Sequence, residues 1–288
     1  MRTEQEMIRL ILDTAKNDSR ILAVGMNGSR TNQRVPKDTF QDFDIVYIVD
    51  AVAPFIEDQE WIDRFGTRLI MQTPETMTLF PATKNGRFTY LMLFEDGNRI
   101  DLTLCPKEQA NNWNEGDRLA EILLDKIQIL PILSQATDQD YWVKKPTQEE
   151  FLDCCNEFWW VSTYVVKGLC RNELLYAADH LYEHCRKELL RLLSWQVGAE
   201  NDYALSVGKN YKYLPNYLSD KDNELLSKTM RMSNSEQLWD SLILLQKAFC
   251  SYARIFSQMN HFGYDHSQAE KVMTYTKKHY LVSENKQY

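Results

Sequence analysis

The spacing of apolar residues changes character near the middle of this chain. In the first half they come in short runs. Residues 21–26 (Ile-Leu-Ala-Val-Gly-Met) are continuously apolar and stop at the turn formers Asn27 and Gly28, which predicts a buried strand followed by a loop. Residues 42–49 (Asp-Phe-Asp-Ile-Val-Tyr-Ile-Val) are rich in β-branched and aromatic types and predict a second strand; 68–72 predicts a third. The runs 90–94 and 99–104 are joined by Glu95-Asp96-Gly97-Asn98, whose Asp-Gly step predicts a hairpin. Helices alternate with these strands. Thr3 and Glu6 form a capping box that opens a helix with Met7, Leu10 and Ile11 inward, and a helix over 59–65 is expected to stop at Gly66. Beyond Pro146 strand signals nearly vanish. Thr147 and Glu150 predict another capping box and a helix to about residue 169. Further helices are expected over 173–196, ended by Gly198, over 235–260, and from a cap made by Ser267 and Glu270. The prediction is an α/β (α+β) protein without internal repeats. Residues 1–146 form a mixed β-sheet flanked by helices and residues 147–288 an all-helical domain.

Polar residues that interrupt this pattern carry the chemistry. Gly28-Ser29-Arg30 follows the first strand: glycine lets backbone N–H groups approach an anion, serine adds a hydroxyl, and arginine adds a charged fork suited to phosphate. On the second strand Asp42 and Asp44 lie two apart and point to one side, while Phe43 and Ile45 turn to the core. Two hard oxygen ligands side by side suit Mg²⁺, which completes its shell with water and phosphate oxygens. In the hairpin's second run Ile100, Leu102 and Leu104 share one face and leave Asp101 on the other. An aspartate set between Ile and Leu is costly to bury unless it is paired or used, either completing the metal site or taking a proton from an attacking hydroxyl. Each motif alone is ordinary, since a Gly-Ser pair is usually a turn and an Asp-x-Asp a solvated strand end. Their order is what is specific: strand, Gly-Ser loop, strand with Asp-x-Asp, hairpin strand with Asp.

At these residues the chain resembles the aminoglycoside 6-adenylyltransferases, the streptomycin adenylyltransferase group of the nucleotidyltransferase superfamily. The likeness is carried by Gly28-Ser29-Arg30-Thr31-Asn32, by Phe40-Gln41-Asp42-Phe43-Asp44-Ile45, and by Leu93-Phe94-Glu95-Asp96-Gly97-Asn98 running into Asp101-Leu102-Thr103-Leu104. In the second half it rests on Cys154-Cys155-Asn156-Glu157-Phe158-Trp159, on residues 161–169, on Arg171-Asn172-Glu173 and on Gly208-Lys209-Asn210-Tyr211-Lys212. The resemblance implies transfer of AMP from ATP to the 6-hydroxyl of streptomycin, with release of pyrophosphate and antibiotic resistance as the outcome. It also implies Mg²⁺ as cofactor, with Asp42, Asp44 and Asp101 in catalytic and metal-binding roles. Two other readings stay open: transfer to another small molecule, a protein or an RNA end, and a non-catalytic nucleotide-binding module.

Charge and cysteine usage narrow the field. The formal net charge of −8 disfavours a nucleic-acid partner and suits a cationic acceptor such as an aminoglycoside. Six cysteines without Cys-x-x-Cys spacing, two of them adjacent at 154 and 155, are expected to be reduced core residues of a cytoplasmic protein. The sequence shows no apolar signal region at Met1-Arg2-Thr3-Glu4 and no membrane-spanning stretch, and a monomer is expected.

The helical half offers the remaining candidates, with the site expected between sheet and helical lid. Lys167 and Arg171 lie one helical turn apart and suit triphosphate oxygens, as does Lys209, with Tyr211 available to stack on adenine; the resemblance strengthens Lys167 and Lys209. Asp153 and Glu157, near Trp159 and Trp160, and Asp179 and Glu183, flanking His180, are carboxylates suited to guanidinium groups, of which streptomycin carries two. Against each stands the ordinary reading of a solvated helix surface, and for Trp159 and His180 a structural role.

Overall fold

In a computed structural model that describes residues 1–58, 60–80, 82–83 and 85–284, the first helix begins at the expected capping box. The Glu6 amide donates to the Thr3 hydroxyl (3.3 Å) and the Thr3 amide to the Glu6 carboxylate (2.7 Å). Helix α1 (Glu4–Asn17) then buries Met7, Ile11 and Ala15 at its 3.6-residue spacing. The strands follow as β1 (Ile21–Asn27), β2 (Phe43–Val49), β3 (Arg68–Gln72), β4 (Phe88–Phe94), β5 (Arg99–Pro106) and β6 (Ala120–Asp125). They form one mixed sheet in the order β3-β4-β5-β2-β1-β6, in which β2 and β5 run parallel and the other described neighbours antiparallel. Gly97, in the left-handed region at φ 83°, makes the turn of the β4–β5 hairpin.

Alternation along the central strands gives this sheet two different faces. Phe43, Ile45, Tyr47 and Val49 of β2, with Ile100, Leu102 and Leu104 of β5, join α1, Trp61 and Phe65 in a large apolar core. The Tyr47 hydroxyl donates to the Ile11 carbonyl (2.6 Å) and ties α1 to the sheet. The opposite face has a small core of Ala23, Val46, Ile48, Cys105, Ala110, Trp113 and Ala120. Trp113 packs against Gly25, where any Cβ would overlap the indole ring. At the end of this second face Asp44 and Asp101 stand in the places that continue the rows of Val46 and Cys105.

Several expectations are corrected. Strand β2 starts at Phe43, so Asp42 is the residue before it, its carbonyl taken by an arginine rather than by a neighbouring strand. The helix expected over 59–65 is a 3-10 turn, Trp61–Phe65, which does stop at Gly66 (φ 117°); position 59 lies outside the described residues. A short helix α2 (Ala53–Glu57) and strand β6 were not anticipated, because Ala120–Asp125 reads as three apolar residues bracketed by acids.

The chain divides into two compact units, Met1–Asp140 and Tyr141–Tyr288. The second is helical: α3 (Gln148–Cys170), α4 (Leu174–Asp179), a π-helical turn (His180–Arg186), α5 (Lys187–Glu200), α6 (Asp220–Lys228), α7 (Ser235–Asn260) and α8 (His266–Glu284). Thr147 and Glu150 cap α3 as expected. The single helix expected over 173–196 is interrupted by the π turn, and α5 runs through Gly198 instead of ending there. That glycine admits the Tyr203 ring and Val143 rather than terminating the helix. Asp265, not Ser267, caps α8, accepting from the Gln268 amide (3.1 Å). Phe158 and Phe249, stacked at 3.8 Å, sit in the core between α3 and α7, and Trp159 is buried with them. All six cysteines are thiols outside any disulfide; Cys170 is exposed, against the expectation of a core residue. Among the described residues no helix is long and apolar enough to cross a membrane.

Candidate active site

Register brings the expected carboxylates together. In the parallel pair β2–β5, Asp44 stands directly opposite Asp101, and in the antiparallel pair β1–β2 it stands opposite Asn27. Gly28 follows Asn27 in the left-handed region at φ 80°, where a side chain is strained, and a methyl group there would overlap Asp44 Oδ2. The turn therefore favours glycine, and a side chain here would also have to push the Asp44 carboxylate aside. Asp44 is largely buried, and its pKa is pushed up to about 6, first by desolvation and then by the Asp101 and Asp42 carboxylates. Asn27 Oδ1 is buried beside it without a hydrogen-bond partner.

Gly28–Thr31 is a single 3-10 turn, closed by the Thr31 hydroxyl donating to the Gly28 carbonyl (2.9 Å). Here the structure corrects two details of the phosphate loop. The Gly28 N–H already donates to the Leu119 carbonyl (2.9 Å), so it is not an anion donor. Arg30 is no exposed fork: its side chain is 6% accessible, lies over the Phe43 ring at 3.6 Å, and donates to the carbonyls of Gln41 (2.7 Å) and Asp42 (3.0 Å). It braces the segment that carries Asp42. Ser29 is half-buried in the same turn, and its carbonyl accepts from the Gln41 side chain (3.3 Å).

Arg99 completes the site and was not singled out from the sequence. It starts β5 two residues before Asp101, so the two share a face. Its Nε and Nη2 donate to the two Asp101 oxygens (2.8 and 2.7 Å), and Nη1 lies 3.6 Å from Asp42 Oδ2. The i, i+2 spacing was a legible signal; Asn27, read only as a turn former, gave none. Among the described residues no group of three His, Cys, Asp or Glu is arranged to hold a metal ion. Arg99 engages both Asp101 oxygens. By chemistry the donors suit a hard cation: neighbouring carboxylates, one with a pKa raised first by burial and then by its like-charged neighbours, beside an orphaned amide oxygen.

The helical candidates are distributed over their own unit. Lys167 Nζ lies over the rings of Tyr164 (4.6 Å) and Tyr176 (5.2 Å), and Arg171, one turn on, is exposed at the end of α3. Lys209 is exposed in a 3-10 turn; Tyr211, at φ 61°, packs against the helical core, and burial raises its pKa. Asp153, Glu157, Asp179 and Glu183 are exposed, with Glu157 3.6 Å from His184 Nδ1. Trp160, not Trp159, is the exposed indole of α3. His180 Nδ1 lies 2.8 Å from the Tyr176 carbonyl, as befits a structural histidine.

A mixed sheet that sets carboxylates from parallel neighbours against a glycine turn is the architecture of a nucleotidyl-transferring class of enzyme. The streptomycin adenylyltransferase family model matches residues 1–279, and the chain belongs to that family. It is 47% identical over 259 residues to the aminoglycoside 6-adenylyltransferase of Bacillus subtilis (strain 168), covering 90% of this chain and 91% of that one. It is 48% identical over 241 residues to the protein of that name from Campylobacter jejuni, covering 84% and 83%, and 39% identical over 265 residues to the one from Staphylococcus aureus, covering 92% and 94%. A crystal structure of an aminoglycoside 6-adenyltransferase from Bacillus subtilis aligns over 97% of this chain and 99% of that chain at 41% identity, with a TM-score of 0.48.

Proposed function

We propose that this chain transfers AMP from ATP to the 6-hydroxyl of streptomycin and releases pyrophosphate. The observation that carries the reaction type is Asp44 set opposite Asp101 across the β2–β5 pair and pressed against Gly28, with the Asp42 carboxylate near enough to raise its pKa. The acceptor is supported by family membership and by relatives named aminoglycoside 6-adenylyltransferases, and a net charge of −8 suits a polycation. Asp42 and Asp44 would hold Mg²⁺, which when bound supplies positive charge at the reacting phosphate.

The protein's own residues do the rest by position. Arg30 pins the backbone at residues 41 and 42, so that Asp42 is presented from a fixed strand end. Gly28 leaves the space into which the Asp44 carboxylate fits. Asp101, 19% accessible, accepts the proton of the attacking hydroxyl on a carboxylate oxygen. In the same reading Lys167, Lys209 and Tyr211 serve the nucleotide, and Asp153, Glu157, Asp179 and Glu183 offer bidentate partners to guanidinium groups.

The test supplies ATP and Mg²⁺ with streptomycin, kanamycin, spectinomycin or tRNA separately and follows pyrophosphate. Release with streptomycin, and a product whose phosphorus is bonded to the 6-oxygen by NMR, is the expected result. Release with another acceptor alone, or with none, overturns the proposal.

A further inference from the structure

We propose that Arg99 is a built-in counter-cation of the carboxylate site: it holds Asp101 and Asp42 in the free protein and has to let go before they take a divalent cation. The inference rests on the reading of these aspartates as a cation site. Three carboxylates at the end of one sheet face repel each other and need positive charge nearby. Two arginines are close, and they are built differently. Arg30 is buried, with Nε and Nη2 donating to two backbone carbonyls and Nη1 3.8 Å from the Glu4 carboxylate, so it is fixed scaffold. Arg99 is 43% accessible and makes its contacts to the charged oxygens themselves, at 2.7 and 2.8 Å on Asp101 and 3.6 Å on Asp42.

An arginine so placed does two things at once. Its charge relieves carboxylate repulsion while no metal is bound, and its fork fills both Asp101 oxygens that a cation or an incoming hydroxyl proton would need. A side chain exposed at this level forms a weak ion pair that exchanges with solvent, so the hold is reversible. Once displaced, the guanidinium is free to pair with an anion of the substrate, and the same charge then serves the loaded site.

The test is Mn²⁺ binding, by calorimetry and electron paramagnetic resonance, to the full chain without nucleotide, compared among wild type, Arg99→Met, Arg99→Lys and Asp44→Asn. Thermal unfolding in EDTA and in saturating Mn²⁺ accompanies it. With one repelling charge removed from the site, Arg99→Met is expected to bind Mn²⁺ about ten-fold more tightly, with Arg99→Lys between it and wild type. The rise in Tm on adding Mn²⁺ is expected to be larger in Arg99→Met, because its metal-free site is the most crowded. Equal or weaker Mn²⁺ binding by Arg99→Met, together with weakened binding by Asp44→Asn, overturns the role of Arg99 and leaves the carboxylate site standing. Binding unaffected by Asp44→Asn overturns the carboxylate site and the inference with it. Equal losses of Tm with and without Mn²⁺ mark Arg99 as scaffold only and overturn it too.

Discussion

The two sides of the first unit's sheet carry aspartates of opposite character. On the α1 side Asp18 receives the Arg20 fork (2.6 and 2.9 Å) and the Trp61 indole N–H (3.1 Å); its pKa is held down at about 2, chiefly by Arg20. On the other side Asp44 receives burial and two like charges, and its pKa is pushed up to about 6. One carboxylate is fully answered by its partners and the other is left short of positive charge. The difference separates what stabilises the sheet from what it is built to do. A large closed core and satisfied polar contacts hold one face, and the strain of uncompensated charge is confined to the end of the other.

The comparison breaks most sharply at Asp44. Asp44→Asn removes the ionisable group while keeping the shape, and adenylyl transfer is expected to fall by roughly 10³-fold or more. Stability should move the other way. A carboxyl whose folded pKa is raised stabilises the fold below about 3.8 and loses that contribution as pH rises through about 6. The variant, lacking this loss, should be more stable than wild type above pH 6 in divalent-free buffer, by about 3 kcal/mol at most. Urea unfolding at pH 5 and pH 8 measures it; a variant less stable than wild type at pH 8 would remove the contrast between the faces.

Two glycines sharpen the same contrast at the next level. Gly25→Ala drives a methyl into the Trp113 ring, which belongs to the small core, and is expected to cost about 1–3 kcal/mol of stability. Gly28→Ala meets the far end of the Asp44 side chain, which can swing aside, but at φ 80°. Its stability cost is expected at roughly 1–2 kcal/mol, while displacement of the carboxylate lowers kcat about 100-fold. Chemical denaturation and steady-state kinetics on both variants separate the two effects.

How much of this was legible follows the same division. The run 21–26 announced a strand buried on both faces, and the alternation at 99–104 announced one with a polar side, where burial on one face imposes a period of two. Asp44 and Asp101 were legible as polar interruptions of those periods. Their being opposite one another was not, since the parallel β2–β5 register is a long-range pairing that no local spacing encodes. Arg30 shows the converse failure. A Gly-Ser-Arg string reads as a phosphate loop, yet the guanidinium turns inward, because two carbonyls and the Phe43 ring are available to it only once the chain has folded back. Strand β6 was missed for lack of alternation, its edge position leaving Glu121 and Ile122 both exposed. The π turn His180–Arg186 was missed because one residue of slack leaves the apolar spacing of a helix almost unchanged.

The smallest expected effect lies on the satisfied side and tests whether Asp18 is as fully answered as its contacts indicate. A carboxyl whose folded pKa is depressed stabilises the fold above its unfolded value near 3.8, and that contribution is lost as pH falls through about 2. Wild type should therefore lose stability between pH 4 and pH 2 partly through Asp18. In Asp18→Asn that portion of the acid slope is expected to flatten, since no proton remains to be taken up at this position. The Trp61 N–H keeps an oxygen acceptor in the asparagine, so the change at neutral pH should reflect the weakened Arg20 pair and little else. Tm measured at half-unit steps from pH 7 to pH 2 for both proteins decides it. Parallel curves would mean that Asp18 is no better compensated in the folded chain than in the unfolded one, and the opposition between the two faces would then rest on Asp44 alone.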